Sequence, residues 1–372
     1  MLYFDHNATA PLHSVAKAAW LAAQERFSGN PSSLHRSGQR AEVALETARE
    51  FLARHLSCQP AALLWTSGAT EAANAVFAHL AQGARGTGEV WISAIEHPCV
   101  AEAAARYFPK AVRELPVTGA GALDLGALEG ALSQRQPVAV GLMAANNETG
   151  VLQPWREALE LCRAKDVPLV CDATQWLGRL PAEELGECDY VFGSGHKCGA
   201  PVGVGFLKAP QGFKGLLVGG GQEEGRRAGT QNVAGAAAFV AALGACAARF
   251  IEVPERLERR GRVEGALLAA LPGTVILGGQ PPRLWNTIAV LAPELADCRQ
   301  RWVVRLDAAG VAASSGSACA SGREAPSRVL SAMGIPAGAS DRVLRLSGGW
   351  DTETADWAEV VRRMAAVLER WR

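Results

Sequence analysis

The stretch CDYVFGSGHKCGAPVGVGFLKA, residues 188–209, decides how this chain is read. It opens with a short apolar run that ends in glycine and serine, and it closes with a second run, VGVGFLKA. A single lysine, Lys197, stands between them among glycine, serine and alanine. Apolar runs of about four to eight residues bounded by turn residues read as buried strands.

Outward from that stretch the pattern repeats. ALLWTS (62–67), EVWISA (89–94), AVRELPV (111–117), VAVGLMAA (138–145) and VPLVCDAT (167–174) are runs of the same kind, separated by helix-length segments such as Glu71–Gln82 and Trp155–Lys165. Strands alternating with helices imply a mostly parallel sheet covered on both faces, an α/β core over residues 60–210. After Arg249 come a charged helix (252–271), shorter α+β elements and an Arg-rich helix, Thr354–Arg370. The chain is therefore divided into a large domain, 15–250, and a smaller α+β domain formed by 1–14 with 251–372.

At 372 residues the chain can bury a sizeable core, and its equal numbers of acidic and basic residues favour neither nucleic acid nor an anionic membrane. A small substrate suits it better. MLYFDHNATAP lacks a basic start and an apolar core, so no signal peptide is expected and the mature protein should begin there. The apolar run Val233–Ala248 is rich in alanine and glycine and short of the roughly 20 residues of a membrane span, so it reads as a buried helix. Nine cysteines, none at CxxC or zinc-ligand spacing, point to a reducing, cytoplasmic compartment without a metal site. Most of the other eight read as small hydrophobes, whereas Cys319 sits in SSGSACASG, residues 314–322, where nothing large packs around it and a thiol stays accessible.

Ligands of open α/β sheets bind beyond the carboxyl ends of the strands. SGATE, EHP, NNETG, DATQ and SGHK stand there. Lys197, one of only six lysines against 31 arginines, follows a strand among small residues that leave room for a planar ligand. Desolvated there, its amine suits a Schiff base with pyridoxal phosphate; the other reading is a phosphate-gripping lysine, although the Walker pattern is absent. Asp172 can pair with a protonated pyridine nitrogen or cap a helix. TSGAT, residues 66–70, ends a strand and opens a helix at Glu71, so its N–H groups and the Thr70 hydroxyl can face an anion or form a plain cap. Ser194 and His196 reach the same place, and His97 can stack on a ring and pass protons or serve the fold alone.

DHNATAP, GNPSSLHRSGQRA, TSGATEA, EHPCV, NNETGVLQP, CDATQWLG, SGHKCGAPVGVG, GGGQEEGRRAGTQN and SSGSACASGREAPSRVL follow one another along nearly the whole chain. In this order they resemble the cysteine desulfurases of the class V aminotransferase superfamily, in the group with the SSGSAC loop. The resemblance implies a fold type I pyridoxal-phosphate enzyme that converts L-cysteine to L-alanine and holds the sulfur as a persulfide on Cys319. By the same resemblance Lys197 bonds the cofactor, Asp172 pairs with its ring nitrogen and His97 stacks on the ring as acid and base. Gln175 and Asn147 contact the ring substituents. Ala69, Thr70, Ser194, Gly195 and His196 form the phosphate cup, completed by Thr230 from a second subunit, so a homodimer is implied. Arg345 matches the clamp on the substrate carboxylate, with Asn7 and Asn147 lining that pocket, and a sulfur-acceptor protein is the implied partner.

Three positions depart from the family pattern: Glu224 and Trp350 stand where arginine is usual, and Ala325 where glutamate is usual. They bear on acceptor docking and substrate preference. The chain also stops at Arg372, soon after its last helix, which points to a specialised acceptor. A selenocysteine lyase, another pyridoxal-phosphate lyase or aminotransferase, or a catalytically silent sulfur-relay partner are the competing readings.

Overall fold

A computed structural model describes residues 1–85, 87–295, 302–315 and 327–371. Along the chain these form β1 (Leu2–Tyr3), α1 (Ser14–Arg26), α2 (Arg36–Leu56), β2 (Leu63–Thr66), α3 (Ala69–Gly83), β3 (Val90–Ser93), α4 (Pro98–Tyr107), β4 (Val112–Leu115), α5 (Leu125–Gln134), β5 (Ala139–Gly141), α6 (Trp155–Arg163), β6 (Leu169–Asp172), β7 (Tyr190–Ser194) and β8 (Gly205–Lys208). There follow α7 (Val233–Ala247), α8 (Val253–Ala270), β9 (Val275–Ile276), β10 (Thr287–Leu291), α9 (Trp302–Ala308), β11 (Val311–Ala312), α10 (Arg328–Ala332), β12 (Val343–Ser347) and α11 (Thr354–Trp371). Every strand expected between residues 60 and 210 is present.

Seven strands form one sheet in the order β2-β8-β7-β6-β5-β3-β4. All neighbours are parallel except β8, which runs antiparallel to both β2 and β7. The reversal follows from the short connection through Lys197: two strands joined by so few residues cannot make a crossover. Central strands are apolar up to their carboxyl ends because helices cover both faces. Leu169, Val170 and Cys171 of β6 are buried with Tyr190, Val191 and Phe192 of β7. β4 closes the sheet with Arg113 and Glu114 exposed, charges that suit an edge strand.

One core lies between the sheet and α2, α5, α6 and α7, and a second lies between the other face and α3 and α4. α7 buries Phe239, Ala242 and Leu243, as a helix of the core does. A third cluster joins Phe4 to Val263, Leu267, Trp302, Leu344, Trp357 and Met364. It packs on a three-stranded antiparallel sheet, β12-β10-β9, and on the parallel pair β1–β11. The N-terminal residues thus belong to the same cluster as the last helix, α11.

Candidate active site

At the carboxyl ends of the central strands lies a cavity of about 680 Å³. Its wall carries Asn7, Ala69, Thr70, His97, Asn147, Asp172, Gln175, Ser194, His196, Lys197 and Arg345, residues drawn from seven separate segments of sequence. Gly195 is buried between its two lining neighbours. Thr230 is exposed and does not line the cavity. Cys319 lies outside the described residues.

The anion-facing end is built by the junction of β2 and α3. α3 begins at Ala69, two residues before the expected Glu71, with Gly68 as its N-cap at φ 153° and ψ −178°. Only glycine adopts that conformation readily. Thr70 is therefore inside the first turn of a 15-residue helix and is not a cap. The Ala69 N–H donates to Ser194 Oγ at 2.8 Å, which ties the helix start to the end of β7. The positive end of the helix dipole points at this spot. His196 faces it with Nδ1 3.1 Å from Thr9 Oγ1, and burial, followed by the charges of Lys197 and Arg179, pushes the imidazole down to about 4. At neutral pH it is an uncharged partner for an anion.

Deeper in, Asp172 ends β6, and its Oδ1 accepts from the Thr174 N–H at 2.8 Å in a tight turn, so it caps no helix. Gln175 donates through Nε2 to the Asn7 carbonyl at 3.0 Å, while its buried Oε1 and the buried Thr174 Oγ1 have no hydrogen-bond partner. Orphaned polar atoms of this kind beside a cavity indicate a missing polar ligand. His97 caps α4, its Nδ1 accepting from the Cys99 N–H at 3.2 Å, which places the proton of the neutral ring on Nε2. Burial lowers its pKa; Asp172 opposes that shift and Lys197 adds to it.

Lys197 sits in the turn after β7, its Nζ donating to the carbonyls of Asn7 at 2.9 Å and Ala8 at 2.6 Å. Arg345, on β12 and 1% exposed, donates through Nη1 to the Asn147 carbonyl at 3.0 Å and through Nη2 to Asp5 Oδ1 at 2.6 Å. Two backbone hydrogen bonds join Ser314 to Arg345, at 3.2 and 2.7 Å, and Ser327 Oγ donates to Glu148 Oε2 at 2.7 Å. The residues that flank 316–326 on either side are thereby anchored beside the guanidinium.

Glu96, Glu148 and Asp5 belong to this site and were not singled out from sequence. The first two lie within EHP and NNETG, motifs that carried the signal, and Asp5 opens DHNATAP. Of the three departures, Glu224 is exposed and pairs with Arg226 at 3.2 Å. Trp350 donates to the Gly178 carbonyl at 2.8 Å and packs on Trp285, away from the main cavity. Ala325 lies outside the described residues.

The set fits a phosphorylated planar cofactor: a helix start for the phosphate, a carboxylate and an imidazole for the ring, orphaned polar atoms for its substituents, and a lysine between them. Comparison with known proteins agrees. The family model described as "Aminotransferase class-V" matches residues 2–356. A cysteine desulfurase of Klebsiella pneumoniae is 36% identical, with 100% of this chain and 94% of that protein covered. Cysteine desulfurase 2 of Trichormus variabilis is 35% identical at the same coverage of 100% and 94%. The NifS-like protein of Rickettsia africae superposes with a TM-score of 0.87 at 27% identity, covering 99% of both chains. A structure of SspA in complex with cysteine superposes with a TM-score of 0.80 at 25% identity, covering 93% of this chain and 98% of that one.

Proposed function

The chain belongs to the class V aminotransferase family and, within it, to the cysteine desulfurases; on that premise we propose that it binds pyridoxal 5'-phosphate and converts L-cysteine to L-alanine, passing the sulfur to Cys319 as a persulfide. The observation that carries the reading is one cavity lined by Lys197, His97, Asp172 and Arg345, beside a helix start suited to phosphate.

When bound, pyridoxal phosphate supplies an electron sink for carbanion chemistry at the substrate Cα. Ala69, Thr70, Ser194 and His196 would hold its phosphate, and Asp172 would hold a proton on its ring nitrogen. His97, kept uncharged at neutral pH by burial, would cover the ring and shield it from water. Lys197 Nζ would hold the cofactor covalently and would move the substrate Cα proton. Arg345 orients the substrate carboxylate through its planar fork. Asp5 and the Asn147 carbonyl fix that fork in advance. Cys319 then takes the sulfur: its Sγ–S bond forms as the substrate Cβ–S bond breaks, and a reductant or an acceptor protein removes the persulfide.

A homodimer belongs to this reading, since Thr230 is exposed and apart from the cavity, where a second subunit can use it. So does the division into 15–250 and 1–14 with 251–372. Cys58, Cys162, Cys171, Cys188, Cys198 and Cys246 form no disulfide, in keeping with the reducing, cytoplasmic setting of this reading. The deciding assay incubates purified protein with L-cysteine and a thiol reductant and measures alanine, sulfide and the cofactor spectrum. Equimolar alanine and sulfide are expected. Cys319→Ala should keep the spectral response to cysteine and lose nearly all sulfide, and sulfide release at the wild-type rate would sink the assignment. A Lys197→Ala chain with an unchanged spectrum would show that another lysine bonds the cofactor.

A further inference from the structure

Glu223 and Glu224 both adopt left-handed backbone conformations, at φ 49° and 58°, and Gly225 follows at 74°. Residues other than glycine seldom accept this region, so two in succession are held there by their surroundings. Glu224 is exposed, whereas the Glu223 side chain is fully buried. Arg49 grips its carboxylate with two parallel hydrogen bonds, Nη1 to Oε2 at 2.8 Å and Nη2 to Oε1 at 2.9 Å. The same oxygens accept from the Trp65 N–H at 3.2 Å and from Gln231 Nε2 at 3.3 Å, and Arg49 Nη1 also donates to the Leu63 carbonyl at 2.7 Å. Leu63 and Trp65 lie on β2, the edge strand of the seven-stranded sheet, so the ion pair takes the place of a neighbouring strand on its outer side.

The pair fixes more than the sheet edge. Residues 217–231 form a loop closed on itself: the Ala228 N–H donates to the Leu217 carbonyl and the Gly229 N–H to Gln222 Oε1, each at 3.2 Å. Arg226 Nη1 donates to the Ala61 carbonyl at 2.8 Å, and Arg227 pairs with both oxygens of Glu71, at 2.7 and 3.0 Å, in the first turn of α3. The loop is thus docked on β2 and α3, the two elements that build the anion-facing end of the cavity, while Thr230, next to Gln231 in the chain, stays exposed. Apolar packing would bury such a loop at less cost in desolvation, but a two-pronged ion pair fixes a single arrangement of it. We propose that Glu223, held by Arg49, is a positioning residue: it keeps the loop 222–231 in the strained conformation that presents Thr230 to the cofactor phosphate of a second subunit. This rests on the reading of Thr230 as part of the other subunit's phosphate cup.

The test compares pyridoxal phosphate with pyridoxal, which lacks the phosphate, by equilibrium dialysis against the full-length chain freed of cofactor with hydroxylamine. Thr230→Ala and Glu223→Gln should each weaken pyridoxal phosphate binding roughly tenfold or more, the loss of one hydrogen bond to a charged group. Pyridoxal affinity should stay unchanged in both, which a merely structural defect would not allow. The double variant should bind pyridoxal phosphate no more weakly than the weaker of the two single variants, because both changes remove the same contact. If Glu223→Gln does not fold, Arg49→Lys, which keeps the charge but not the fork, takes its place with the same expected losses. Wild-type pyridoxal phosphate affinity in the folded anchor variant beside a weakened Thr230→Ala overturns the proposal. So does an equal loss of pyridoxal, or losses that add in the double variant. Wild-type affinity in Thr230→Ala would instead condemn the reading of Thr230, and the proposal with it, so the two failures are told apart.

Discussion

Glu96 shows what one side chain does to the site around it. It is 2% exposed, Oε1 accepts from the Met143 N–H at 2.7 Å, and Oε2 has no partner. Burial and then the nearby Asp172 carboxylate push it up to about 8, so at neutral pH Glu96 keeps its proton. An unfolded glutamate ionises near 4.3. Because the folded value is the higher one, stability is greatest below the unfolded value, falls as pH rises between the two, and levels off above about 8. The full loss is about 5 kcal/mol at most. The melting temperature should fall measurably from pH 5 to pH 8, and Glu96→Gln should flatten that slope. A wild-type profile already flat over that range would contradict this account.

Among the elements, the junction of β2 and α3 is the most constrained. Besides its backbone conformation, Gly68 has no room for a side chain: an added Cβ would lie 3.0 Å from Ser194 Oγ, and one on Gly205 would lie 2.6 Å from Gly68 Cα. Gly68, at the helix N-cap, and Gly205, on β8, let the backbones meet beneath the helix start. Gly68→Ala should cost about 1–3 kcal/mol through backbone strain. It should also weaken pyridoxal phosphate binding roughly tenfold or more, since 1.4 kcal/mol is a factor of ten. Equilibrium dialysis measures the affinity, and wild-type affinity in a folded variant would rule out this role for the junction.

The strands around this junction were legible because buried strands are apolar up to their last residue, as LLW before Thr66 and LVC before Asp172 are. The start of α3 was not. A Thr-Ser-Gly-Ala-Thr run offers several caps, and the choice of Gly68 follows from contacts with β7 and β8, far away in sequence. Lys197, His97 and Asp172 could be read because each stands alone at a strand end. Asp5 and Glu148 could not, because their meaning lies in partners such as Arg345 and Ser327 that no local pattern reveals.

At the scale of the whole molecule, the N-terminal segment stitches the two halves of the chain together. β1 pairs with β11, Asn7 N–H donates to Ser347 Oγ at 3.0 Å, and Asn7 Nδ2 donates to Thr287 Oγ1 at 2.9 Å and to the Asn147 carbonyl at 3.1 Å. Ala10 N–H then reaches the His196 carbonyl at 3.0 Å. Asn7→Ala strands several buried donors and acceptors and should cost about 2–4 kcal/mol in urea unfolding. It should also loosen the cofactor, because the Asn7 carbonyl position holds Lys197 and Gln175 together. Unaltered stability and cofactor retention would show that the stitch carries no weight.

Order of synthesis gives that stitch another meaning. Asn7 leaves the ribosome 340 residues before Ser347, a wait of roughly 20–70 s at about 5–20 residues per second. Until β12 has emerged, the segment that covers Lys197 has neither its strand partner nor its serine, and Arg345 does not yet exist. On the proposed reading of Lys197 and Arg345, a chain cut short by stalled translation therefore carries the amine without the carboxylate clamp, and the chemistry waits until β12 has been made.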